Sequence, residues 1–86
     1  MKRGHGVHPR VWGIGEEAII NTRFGQDRRL LRFYVRRARF GWHVWLVGAN
    51  DQHLAPVSTG NYRGADFIVV RHLIKKFVDG VRGKRN

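Results

Sequence analysis

The sequence predicts an α+β fold, a three- or four-stranded antiparallel sheet with one C-terminal helix packed on one face. Two observations lead there. Residues 31–47 alternate apolar and polar side chains at the strand period on either side of a turn signal, and from about Gly64 the apolar residues change to helical spacing.

Glu17 to Phe24 reads as a strand in preference to a short helix, followed by a turn at Gly25-Gln26-Asp27. A second strand runs from Leu31 to about Phe40, Gly41 turns the chain, and a third strand covers Trp42 to Val47. Ala49-Asn50-Asp51-Gln52 forms the next turn and His53 to Val57 a short last strand. Pro56 lacks the N–H that a ladder requires, so this strand lies at an edge or ends there. After the break at Ser58-Thr59-Gly60-Asn61, a helix is expected from about Gly64 to Asp79, with Gly80 as its stop. Phe67-Ile68-Val69-Val70 favours strand by propensity. Phe67, Val70, Ile74 and Phe77 nevertheless recur at helical spacing, with Leu73 beside them and Arg71, Lys75 and Asp79 opposite. Over a segment this long the spacing outweighs propensity differences of tenths of a kcal/mol per residue.

Eighty-six residues make one domain at most, too small for a large substrate cleft. The expected organisation is a flexible basic arm over residues 1–16, rich in Gly and anchored at most by Trp12 and Ile14, then one α+β domain over 17–80 and a basic tail over 81–86. The chain has no cysteine, which excludes disulfides and thiolate zinc sites, and no apolar run near the ~20 residues that span a bilayer. A soluble cytoplasmic protein that does not engage the membrane is the expectation.

The formal charge is +11, and Arg outnumbers Lys thirteen to four. Arg presents a planar fork suited to phosphates and base edges, a bias that solubility alone does not require. The excess runs along the whole chain, so a basic tail does not account for it. The expected partner is a polyanion.

The run from Phe33 to Lys76, above all GWHVWLVGANDQHLAPVSTGNYRGAD, resembles the YegP-like family of small bacterial proteins built from a β-β-β-α repeat. The matching positions are Phe33, Val35, Gly41-Trp42, Leu46, Ala49-Asn50, Leu54-Ala55, Gly60, Tyr62 and Ala65. The likeness covers about half the chain and implies a fold, with no catalytic residues. Asp51 departs from it, because the family usually has Gly there, and this chain has room for a single repeat. Such a unit completes its layers through residues 12–24 or by pairing as a homodimer across a sheet edge.

The functional expectation rests on the two faces of the central strands. With Leu31, Phe33, Val35, Trp42, Val44 and Leu46 turned to the helix, Arg32, Tyr34, Arg36, His43, Trp45 and Val47 fall on the open face. Cations there suit phosphates, and rings suit stacking on bases. Arg37, Arg39 and Arg63 are added as phosphate contacts. The alternative is that Tyr34 and Trp45 pack beneath the N-terminal arm, with the arginines as a solvated rim.

Other chemistries find less support. Only His5 and His8 lie close in sequence, without further ligands for zinc. Gly13-Ile14-Gly15-Glu16-Glu17-Ala18 matches a dinucleotide pattern but has no strand before it. Ser58 is the only serine and sits in a turn. The sequence is therefore read as a non-enzymatic nucleic-acid-binding protein without cofactor or metal, binding DNA rather than RNA. The alternative is a module recognising an acidic surface of a larger protein, since Arg and aromatic side chains also anchor protein interfaces.

Overall fold

The computed structural model describes residues 10–24 and 29–83. Four strands, β1 (Glu17–Phe24), β2 (Arg29–Ala38), β3 (Gly41–Val47) and β4 (His53–Pro56), form one antiparallel sheet in the order β1-β2-β3-β4, followed by helix α1 (Phe67–Gly83). This is the expected α+β architecture.

Cross-strand register sorts the side chains into rows. Ala18, Val35 and Val44 form one row, and Ile20, Phe33, Leu46 and Ala55 another. Both rows lie under α1, where Phe33, Val35 and Val44 are buried with Phe67, Val70, Ile74 and Val78. The helical spacing thus identified the packed face, which Val78 extends by a turn.

Several boundaries move. The turn after β2 is Arg39–Phe40 and not Gly41, which opens β3 at φ 114, a backbone region open to glycine at little cost. Pro56 ends an edge strand, so both expectations for it hold. The helix begins at Phe67 because Asp66 caps it: the Asp66 Oδ1 accepts from the Ile68 amide at 2.9 Å. It passes through Gly80 to Gly83, since one glycine costs a helix only about 1 kcal/mol. The turn at Gly25-Gln26-Asp27 and tail residues 84–86 lie outside the described residues.

The N-terminal segment is the largest correction. Residues 1–9 lie outside the described residues, but residues 10–16 pack as part of the domain. Trp12 is 2% exposed, stacked on Phe67 at 5.1 Å between centroids and tilted against Trp42 at 5.4 Å. The Trp12 amide donates to the Ala65 carbonyl, and the Arg10 carbonyl accepts from the Phe67 amide, one of the donors that a helix start leaves unpaired. Ile14, the other expected anchor, is exposed. A lone Trp among glycines carries no periodicity, so local reading could not tell that it fills the end of the core.

Candidate nucleic-acid interface

On the face away from α1 the register sets out three rows. Glu17, Arg36 and His43 form the first, Ile19, Tyr34, Trp45 and Pro56 the second, and Asn21, Arg32, Val47 and His53 the third. Because Trp12 packs against Trp42 and Phe67, the segment over residues 10–16 runs on the helix side and leaves these rows uncovered. The burial of Tyr34 and Trp45 beneath residues 10–16 is thereby excluded; the rest of the expected arm, residues 1–9, lies outside the described residues.

The rings of the face are organised by one another. His53 stacks on Trp45 at 4.9 Å between centroids and on Tyr34 at 5.4 Å, with interplanar angles of 26° and 27°. His53 was not foreseen as part of the site. The ladder slips between Leu46 and Val47, so strict alternation does not reveal which face a β4 side chain takes. The Tyr34 hydroxyl donates to Glu17 Oε1 at 2.6 Å. Burial, then the Glu17 carboxylate, raises the pKa of this phenol above its ordinary value, while Arg36 pulls the other way.

The arginines divide into two groups. Arg32 is held at the β3–β4 turn: its Nη1 donates to the Gly48 carbonyl at 3.0 Å, and its Nη2 lies 2.7 Å from Asp51 Oδ1. Arg37 belongs to the helix side, where its Nη1 donates to the Trp12 carbonyl at 2.7 Å. Arg37 therefore leaves the expected site, and Arg32 stands in it with its charge already matched. Val47 lies on the outer face as expected but is buried there, apart from the main core cluster.

Arg36, Arg39 and Arg63 have no acidic partner within ion-pair distance among the described residues. Arg36 and His43 face each other across β2 and β3, one row from the hairpin end. At that end Phe40 is 72% exposed, with the guanidinium carbons of Arg39 and Arg63 each 5.8 Å from its ring centroid. Phe40 was read as the end of a strand; its place in a two-residue turn is what exposes it. The sites brought together are thus Tyr34, Trp45 and His53 in the centre of the face, Arg36 and His43 beside them, and Arg39, Phe40 and Arg63 at the tip.

Among the described residues no three His, Asp or Glu side chains gather where a metal ion could be held, and no helix is long and apolar enough to cross a membrane. Comparison with family models, curated proteins and solved structures finds no match.

Proposed function

We propose that this protein is a non-enzymatic nucleic-acid-binding module that docks through the outer face of its sheet and the adjoining hairpin tip, with DNA as its target. The observation that carries the reading is the Tyr34–His53–Trp45 stack, set on a face that residues 10–16 leave open and bordered by Arg36 and His43. Rings held by neighbours lose little freedom when a ligand arrives, and a cation without an acidic partner is available to a phosphate. Arg36, Arg39 and Arg63 supply phosphate contacts, His43 a further polar contact, and the ring stack an apolar surface for sugars or bases.

Fluorescence titration with duplex DNA, single-stranded DNA and RNA at two salt concentrations tests this. The expected result is binding at low salt that weakens steeply as salt rises, because neutralised phosphates release counterions. Absence of binding at low salt overturns the reading. Retention of an acidic protein from a nuclease-treated lysate would then point to the protein surface instead.

A further inference from the structure

Phe40 lies outside the hydrophobic core, with the Arg39 and Arg63 guanidiniums over its ring. It stands 72% exposed at the tip of the β2–β3 hairpin, on the far side of the turn from the core. What surrounds it is ordered. The Trp42 Nε1 donates to the Gly64 carbonyl at 2.8 Å, which fixes the loop that carries Arg63 against β3. The Tyr62 hydroxyl closes the same loop, accepting from the Asp66 amide at 2.9 Å and donating to the Asp66 carbonyl at 3.1 Å. A Cβ on Gly64 would sit 2.6 Å from that hydroxyl, so any larger residue there would push the Tyr62 ring out of these bonds. Two cations from separate segments therefore converge on one accessible ring, and neither has an acidic partner within ion-pair distance among the described residues.

We infer that the hairpin tip is a clamp for an unpaired strand, in which a nucleobase takes the place of a guanidinium on the Phe40 ring while Arg39 and Arg63 turn to the flanking phosphates; this rests on the nucleic-acid reading above and names its substrate form. In a duplex the base faces are occupied by neighbouring base pairs and cannot reach an exposed ring. In a single strand every base presents one, and ring stacking combined with cations is the general means of holding it.

Fluorescence anisotropy with labelled oligothymidylate, and with the same strand annealed to oligoadenylate, tests the clamp. The wild-type protein is expected to prefer the single strand. Phe40→Ala should weaken single-strand binding at least about fivefold and leave duplex binding unchanged, with Phe40→Trp restoring it. Arg39→Ala and Arg63→Ala should each lower the salt slope on the single strand by about 0.7. A thermal melt confirms that these surface variants fold. Equal single-strand affinity for Phe40→Ala and wild type, or tighter binding to the duplex, overturns the clamp and leaves the general reading standing. Failure to bind either probe overturns both.

The two edges of the sheet also differ. The β4 edge is four residues long, offset by the irregularity at Leu46/Val47 and closed by Pro56, all features that blunt pairing. The β1 edge is eight residues long, with neither proline nor bulge. Glu16 accepts from the Arg37 amide at 2.9 Å, so by alternation Ala18, Ile20 and Thr22 exchange bonds with β2, and Glu17, Ile19, Asn21 and Arg23 turn their backbone groups outward.

From this geometry we propose that β1 pairs with β1 of a second copy, antiparallel about Ile20. That register sets Glu17 opposite Arg23 twice, Ala18 opposite Thr22 and Ile20 opposite itself, and it makes the two outer faces continuous. Sedimentation across a concentration series tests it. Glu17→Arg and Arg23→Glu should each weaken the dimer by placing like charges opposite one another, and the double exchange should restore it. Tyr34→Phe, which removes the other bond to Glu17, should leave it intact. A chain that is monomeric throughout, or a double exchange as weak as the single changes, overturns the proposal.

Discussion

The Arg37 guanidinium donates from Nη1 to the carbonyl of Trp12 at 2.7 Å, tying the end of β2 to the segment that brings Trp12 into the core. Backbone bonds from Gly15 to the Arg37 carbonyl and from the Arg37 amide to the Glu16 carbonyl run alongside it. Arg37→Ala is therefore expected to cost about 2 kcal/mol in urea unfolding, the range for a hydrogen bond to a charged group. The salt slope of nucleic-acid binding should stay at the wild-type value. A reduced slope with unchanged stability would return Arg37 to the interface.

Arg32 and Arg36 sit four residues apart on the same face, with Tyr34 between them, but are held differently. Arg32 is matched by Asp51 and Gly48, whereas Arg36 flanks Tyr34 without an acidic partner within ion-pair distance among the described residues. Arg36→Ala should lower the salt slope on duplex DNA by about 0.9, the share of one phosphate. Arg32→Ala should leave the slope close to wild type. Equal losses from the two would show that the Asp51 ion pair opens on binding.

Asp51 adopts φ 62, the left-handed region that favours glycine, and sends its carboxylate to Arg32. An exposed ion pair contributes at most about 1 kcal/mol, and a side chain in this conformation costs a comparable amount. Asp51→Gly is thus expected to change stability by less than about 0.5 kcal/mol, because it loses one effect and relieves the other. Asp51→Ala keeps the backbone cost and loses the pair, and should destabilise by about 1 kcal/mol. Denaturant midpoints of the two variants provide the comparison.

Tyr34 has its pKa raised from 10.0, by burial first and by Glu17 second. An acid whose folded pKa lies above its unfolded value contributes stability that is fully present below the unfolded pKa and is lost as pH rises through the folded one. Stability from this group should hold up to about pH 10 and fall beyond it as the phenolate forms beside Glu17. Glu17→Gln should lower the Tyr34 midpoint, read from its ring-carbon NMR shift, and an unchanged midpoint would leave burial as the sole cause.

What the sequence determined by itself is local and periodic. Alternation in Leu31 to Val47 specified which side chains of β2 and β3 face the helix, because a strand permits only two faces, and the spacing of Phe67, Val70, Ile74 and Phe77 identified the helix despite its β-branched start. Tertiary structure decided the rest. Trp12 enters the core through contacts far away in sequence, with Trp42 and Phe67, and no local pattern encodes them. A slip of the ladder places His53 against Tyr34 and Trp45, and a turn two residues long exposes Phe40 between Arg39 and Arg63. The same distinction sorts the arginines. Their charge is plain in the sequence, but whether a guanidinium remains free for a phosphate depends on the carbonyls and carboxylates that folding brings beside it, as it does for Arg32 and Arg37.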